Sequence, residues 1–338
     1  MGKLGKKGKL HVQTLDGPLV QVRTPTYKRP EQLLRCLKSL QSQTHQNWVC
    51  DVYDDDPQGA GESVCAALGD SRIFYHKNQP QKFASRNIDQ CFSADNPHGA
   101  DYFCVVEDDN FILDAFFAAN IEVCESKGVH IVLRNQKIEY NSGGENASLS
   151  STGVLDGLYK EGLYDAHKFR QSLLFAIGVS NGGLFWSAKT RSALEIGFPC
   201  TATVQEYMRT FSIVEPIYVA MTPLAVWAEN AEQTTRNDGL DASYLVRELN
   251  LKRTVQALRA KIWSTMSKDE RRQMVVDDRF ETPADVRAIE LAKSLLLPSS
   301  TLSMRRLVNL LARGIVIRLF GRTDPTLQAF IKSRVAQY

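Results

Sequence analysis

Three consecutive acids, Glu107-Asp108-Asp109, follow the apolar run Tyr102-Phe103-Cys104-Val105-Val106. A run so rich in aromatic and β-branched residues predicts a buried strand, and open α/β sheets bind ligands at the carboxyl ends of their strands. Adjacent like charges repel, so three carboxylates together are tolerated as a solvated acidic turn or when a cation neutralises them. Oxygen-only ligands favour Mg²⁺ or Mn²⁺, and Mg²⁺ typically takes one or two carboxylates plus substrate phosphates. A second predicted strand, Trp48–Tyr53, also ends in acids, Asp54, Asp55 and Asp56, and a first, Leu19–Arg23, ends in Thr24-Pro25-Thr26-Tyr27. Side by side, these ends predict a nucleotide pocket: a carboxylate accepts from base N–H or ribose hydroxyls, and Tyr27 stacks on a base. Arg86, at the start of a helix, suits either a phosphate contact or a surface pair with nearby acids.

The elements that must carry these residues alternate. The spacing of Leu33, Leu34, Leu37 and Leu40 after Pro30 predicts a helix, Arg72–His76 a third strand, and Ala84–Phe92 a second helix ahead of the strand at 102–106. Strand, helix, strand in this rhythm predicts a mostly parallel, Rossmann-like sheet with right-handed crossovers. A helix over about Leu113–Ser126 and a strand over Val129–Leu133 continue it. Residues 139–160, rich in Gly, Ser and Asn, then predict a long functional loop. Phe175–Ser187 reads as a strand interrupted by Asn181-Gly182-Gly183, where the backbone bends or lies against a ligand. A helix over Ala188–Ile196 follows. Pro223 predicts an edge strand, or two short ones, within 217–227. From about Asp238 the pattern is helical to the end.

At 338 residues, 43% hydrophobic and 23% charged, the chain has the composition of an ordinary globular protein with a sizeable core. No apolar run approaches the length of a membrane span. Seven cysteines without a Cys-x-x-Cys pair predict reduced core residues in a cytoplasmic protein. The net charge of +3 conceals basic ends: residues 1–10 carry +4 and residues 301–338 carry +6, around a body of −7. Such a distribution does not suggest a nucleic-acid partner; it suits ends that meet an anionic surface. Residues 1–16 are expected to form a flexible arm, 17–236 the catalytic domain and 237–338 a helical region.

The run Val22-Arg23-Thr24-Pro25-Thr26-Tyr27-Lys28-Arg29-Pro30, with Leu33, Leu37, Ser39-Leu40 and Gln43-Thr44, resembles the opening of family 2 glycosyltransferases of the GT-A fold. Asp54-Asp55, Arg86-Asn87 and Glu107-Asp108-Asp109 fall in the order of that family's paired acids, Arg-Asn pair and metal-binding element. The resemblance covers roughly residues 18–230. It implies a UDP-sugar donor held by Thr24, Pro25, Tyr27, Asp54, Asp55, Arg86, Glu107 and Asp108, with Asp109 on Mn²⁺ or Mg²⁺. It implies Glu206 as catalytic base, Asn181, Gly182 and Gly183 on the acceptor side, and transfer with inversion to a saccharide or lipid-linked acceptor in surface polysaccharide or glycoconjugate synthesis. The residues' own alternatives are a dipole-stabilised helix-start glutamate at 206 and a simple bulge at 181–183.

The chain departs from the family pattern at four places. Glu107 stands for the commoner aspartate, Asp56-Pro57 for Gly-Ser, and Gln205-Glu206 for Glu-Asp. The stretch Trp227-Ala228-Glu229-Asn230 lacks a histidine that helps bind metal or diphosphate in many relatives, so Glu229 or Asn230 is the expected substitute ligand and Arg236 an expected diphosphate contact. The missing histidine also motivates a rival reading, a catalytically degenerate nucleotide-sugar-binding scaffold at the membrane. Nucleotidyl transfer would want a glycine-rich phosphate loop after the first strand, and Thr-Pro-Thr-Tyr is not one.

Residues 303–322 predict a basic amphipathic helix, with Met304, Leu307, Val308, Leu311, Ile315 and Leu319 on one face and Arg305, Arg306, Asn309 and Arg313 opposite. Such a helix lies on an anionic membrane surface, peripheral on its cytoplasmic face, or packs on its own domain or a second subunit of a homo-oligomer.

Overall fold

The computed structural model describes residues 17–175, 178–229, 242–274 and 280–335. In chain order it contains β1 (Val20–Thr26), α1 (Pro30–Gln41), β2 (Trp48–Asp54), α2 (Ala60–Leu68), β3 (Ile73–Lys77), α3 (Phe83–Gln90), β4 (Tyr102–Val105), β5 (Phe111–Ile112) and α4 (Phe116–Lys127). These are followed by β6 (Ile131–Tyr140), β7 (Ser148–Gly153), β8 (Gly162–Tyr164), α5 (Ala166–Gln171), β9 (Leu184–Ser187), α6 (Ala202–Ser212) and β10 (Ile217–Ala228). The C-terminal helices are α7 (Ala242–Thr265), α8 (Lys268–Gln273), α9 (Ala284–Leu295), α10 (Met304–Phe320) and α11 (Pro325–Val335).

One mixed sheet runs β3-β2-β1-β4-β9-β6-β10-β5, with β7 on β6 and β8 on β10. The first four strands are parallel to one another, as the strand–helix rhythm predicts, and β9 joins antiparallel between β4 and β6. Every residue of β1 is buried, the pattern of a central strand covered on both faces. A core that includes Phe103, Leu133, Leu184 and Trp186 of the sheet extends without a break to Leu258, Ile262, Leu291 and Leu327, so the C-terminal helices share the sheet's interior. All seven cysteines are free, five of them buried.

Several expectations are corrected. The 139–160 stretch is no structureless loop, because β6 runs on to Tyr140 and pairs antiparallel with β7, a polar strand that lies on the surface with only Ser150 buried and so lacks an apolar alternation to announce it. Gly153 is required there, since a Cβ would stand 2.2 Å from the Asn135 side chain. Only Leu184–Ser187 of the stretch from Phe175 is a strand, preceded by short 3₁₀ turns at Ser172–Phe175 and Asn181–Gly183.

Residues 188–196 form no helix: Glu215 accepts from the N–H groups of Arg191 and Ser192, and Asp89 from that of Ile196, leaving these donors satisfied without helical bonds. The short helix α2 went unpredicted because its polarity pattern spans barely two turns. The strand holding Pro223 is not an edge. β10 pairs with β6 on one side and with β5 and β8 on the other, while Pro223 falls where the β6 register breaks between Ala220 and Ala225.

Candidate active site

At the carboxyl edge of the sheet, β4 releases Glu107, Asp108 and Asp109 beside the end of β1. Asp108 is 5% exposed and faces back into the fold. Its Oδ2 accepts from Thr26 Oγ1 at 2.8 Å and from the Tyr27 N–H at 3.3 Å. Arg29 Nη1 lies 3.3 Å from Asp108 Oδ1 and 2.6 Å from Asp109 Oδ2, bridging the two acids. Burial and the neighbouring Asp109 push the Asp108 carboxyl up to about 7, against the pull of Arg29 and Thr26. Behind Asp109, Arg35 of α1 donates to its carbonyl at 2.9 Å and pairs with Glu139 at 2.6 Å, tying the acidic turn to β6. A cavity of ≈ 120 Å³ opens here between Pro25–Tyr27 and Arg29, Ala84, Asn87 and Ile88 of α3, and Glu107 and Asp108.

The other side is built by α6. Thr201 caps that helix by accepting from the Val204 N–H, and Glu206 stands in its second turn, past the first turn where a dipole-stabilised helix-start glutamate would lie. The Asn181 backbone N–H donates to Glu206 Oε1 at 3.3 Å, and its side-chain Nδ2 to Glu107 Oε1 at 3.4 Å, so one residue joins two acids that are far apart in sequence. Arg209, one turn after Glu206 and wholly buried, donates to Asn181 Oδ1 at 2.8 Å and pairs with Asp89 of α3 at 2.9 Å. Burial pushes the Glu206 carboxyl up to about 7, against the Asn181 N–H and the Arg209 charge. Burial, with Asp109 and Glu206 beside it, pushes Glu107 up to about 8. A carboxyl whose proton affinity lies near neutrality in a cleft is suited to general-base work.

The other residues expected in the site divide clearly. Pro25 and Tyr27 line the cavity, and Tyr27 is 44% exposed, open to a stacking ligand. Thr24 instead points into the core, its Oγ1 3.6 Å from Cys50 Sγ; the hydroxyl that reaches the acids is Thr26. Asp54 and Asp55 are turned inward. Asp54 accepts from the N–H groups of Asp56 and Gly61 and from the Tyr75 hydroxyl, pinning the start of α2. Asp55 accepts from Asn78 Nδ2 and the N–H groups of Lys82 and Phe83, holding the start of α3.

Arg86 is exposed on α3 with no acid paired to it among the described residues, whereas its neighbour Asn87 is buried and bonds the carbonyls of Thr26 and Tyr53. Glu229 is exposed at the end of β10, its backbone bonded to Glu139 and Ser142; Asn230 and Arg236 lie outside the described residues. Sequence reasoning passed over Thr26, Arg29, Arg35 and Arg209. The run Tyr27-Lys28-Arg29-Pro30 signalled a cation at a strand end, but nothing local distinguishes Arg209 from a solvent-facing helical arginine.

Only Asn181 of the Asn-Gly-Gly turn faces the acids. A Cβ on Gly183 would lie 2.6 Å from the Arg134 carbonyl of β6, and one on Gly182 2.9 Å from Gln136 Nε2, so the glycines let the turn sit against β6. Gly183→Ala is therefore expected to destabilise the chain by about 1–3 kcal/mol, because backbone and not a flexible side chain must yield. A thermal melt reads that loss directly.

Among the described residues no three His, Cys, Asp or Glu side chains are arranged to hold an ion by themselves. The donor chemistry nevertheless fits a divalent cation shared with phosphate: two adjacent carboxylates, Asp108 and Asp109, carry only oxygen donors and are bridged by one guanidinium.

Residues 22–183 match the glycosyl transferase family 2 model. No curated protein matches the chain's sequence. Among solved structures, S. aureus TarS 1-349 in complex with UDP-GlcNAc is similar with a TM-score of 0.53 at 12% identity, over 94% of this chain and 87% of that one. The same fragment alone gives 0.51 at 12% identity over the same shares. Against the longer TarS structure the score is 0.52 at 11% identity, and the chain spans about half (53%) of it. At such identities the likeness is one of fold.

Proposed function

Residues 22–183 are a family 2 glycosyltransferase domain on a GT-A-like sheet, and we propose that this enzyme moves a sugar from a UDP-sugar to a hydroxyl of a saccharide or lipid-linked acceptor. The observation that carries the reading is the convergence of Tyr27, Glu107 and Asp108 on one strand-end cleft, with Asp109 joined to it through Arg29 and Glu206 joined to Glu107 through Asn181. Tyr27 stacks on the base, and Arg29 and Arg86 supply positive charge near the diphosphate. UDP is favoured because the TarS fragment, a neighbour in fold, was solved with both UDP-GlcNAc and UDP.

Glu206 takes the proton from the acceptor hydroxyl. The freed oxygen attacks the anomeric carbon as the bond to the diphosphate breaks, and the configuration inverts. Asp109 would hold Mg²⁺ or Mn²⁺, which when bound supplies charge neutralisation to the departing diphosphate. Asn181 keeps the base in register with the acidic turn.

Melting the protein with each nucleoside diphosphate, with Mn²⁺ or with EDTA, tests this assignment. A ligand at 100-fold its dissociation constant adds about 2.7 kcal/mol of stability. The expected result is a metal-dependent upward shift with UDP that disappears in Asp109→Asn. Absence of a shift with every nucleotide would sink the transfer reading, whereas a shift without turnover would favour the degenerate nucleotide-sugar-binding scaffold.

A further inference from the structure

On α10 the packed face and the most apolar face do not coincide. Leu310 and Gly314 are buried among α9 and α7, whereas Met304, Val308, Ile315, Val316, Leu319 and Phe320 are exposed, Met304 at 75% and Leu319 at 72%. At 3.6 residues per turn these six share one side of the helix, displaced from the packed side. The sequence expectation is thus corrected: Leu307 and Leu311 belong with the packed side, and the rest of the predicted apolar stripe is left in solvent. The end of α10 is seated on α7, where the Arg322 N–H donates to Asn250 Oδ1 at 2.8 Å. Near that end α7 exposes Leu245 and Val246 at 52% and 56%.

Charge surrounds the stripe. Arg305, Arg306, Arg313, Arg318 and Arg322 are exposed, and no acid occurs between Leu291 and Thr323. We propose that this face docks on an anionic lipid bilayer, with α10 lying in the interface. Its apolar side chains would enter the acyl boundary while the arginines reach back to headgroup phosphates. A second copy of the chain is the poorer occupant, because it would bring an identical arginine cluster against this one. Nucleic acid would use the charge and leave the apolar stripe uncovered. The helix does not cross the bilayer: no helix among the described residues is long and apolar enough to do so. Docking would hold the cleft near a lipid-linked acceptor; that consequence rests on the proposed transfer, but the docking does not.

The test is co-sedimentation of the full chain with phosphatidylcholine vesicles, with and without added phosphatidylglycerol, at low and at molar salt. Binding is expected only to the anionic vesicles and only at low salt, weakened about 5-fold by each of Arg306→Gln and Arg313→Gln. Leu319→Glu/Phe320→Glu should abolish it while leaving the melting temperature and the UDP-induced shift unchanged. A parent chain that stays in the supernatant with anionic vesicles overturns the proposal. So does a dimer, seen by light scattering, that the double variant dissociates. Vesicle binding without any nucleotide shift would instead sink the transfer reading and leave the docking standing.

Discussion

Glu206→Gln is expected to lower kcat by about 10²–10⁴ while leaving the UDP-induced melting shift in place, because the base acts on the acceptor and touches neither Tyr27 nor Asp109. The pH dependence follows from the same carboxyl. Glu206 is held up to about 7 from its ordinary 4.5, so the parent's activity should rise with pH through about 7 as the base loses its proton. Stability runs the other way. Between about 4.5 and 7 the folded state binds a proton that the unfolded state has released, so ionising Glu206 in place weakens the fold as pH rises. Glutamine removes that cost, and the variant should gain on the parent in melting temperature across this window. The groups facing Glu206 are the Asn181 N–H, the Glu107 carboxyl, Tyr207 and Arg209. Titration of Glu107 would move the activity midpoint, but it cannot replace the proton acceptor that the glutamine variant lacks. Full activity in Glu206→Gln would remove the base assignment.

The half of the fold that carries the acids was legible because its signals are local. Strands β1, β2 and β4 are apolar runs that end in acids or Thr-Pro-Thr-Tyr, and a parallel sheet puts their ends on one edge whatever the details of packing. What local pattern cannot convey is which way a side chain at such an end points. Asp54 and Asp55 look from the sequence like ligands as good as Asp109. The structure commits them to the starts of α2 and α3, where backbone N–H groups would otherwise lack partners. Thr24 and Thr26 share one face of β1 by parity, so only their neighbours tell them apart: the first meets Cys50 of β2, and the second, at the strand's end, reaches Asp108. The same limit applies to α10. A helical wheel finds an apolar stripe, but the position of α7 and α9 decides which part of it is covered.

The second large effect is expected at Arg209, where sequence gave least warning. Its guanidinium is fully buried over the Phe92 ring, 3.7 Å from the centroid, and joins Asp89 to Asn181. Asp89 in turn accepts from the N–H groups of Ile196 and Gly197, so it anchors the irregular 188–197 segment as well as the pair. Arg209→Met would leave that carboxylate buried without its counter-charge, a loss of about 3–5 kcal/mol. Asp89→Asn added to Arg209→Met removes the stranded charge, while the amide oxygen can still accept from one of the two N–H groups. The double variant should therefore melt above the single one, in contrast to two independent losses, which would add.

Catalysis supplies the readout that a merely structural arginine would not move. Without the positive charge that favours its ionised form, Glu206 should hold its proton more tightly, so the rise in kcat shifts to higher pH in the double variant. The Asn181 side chain loses its fixed orientation at the same time, and with it the bond to Glu107, while its backbone N–H stays on Glu206. An unshifted pH profile in a stable double variant would confine Arg209 to folding; the expected shift would make it the residue through which α3 and α6 set the base.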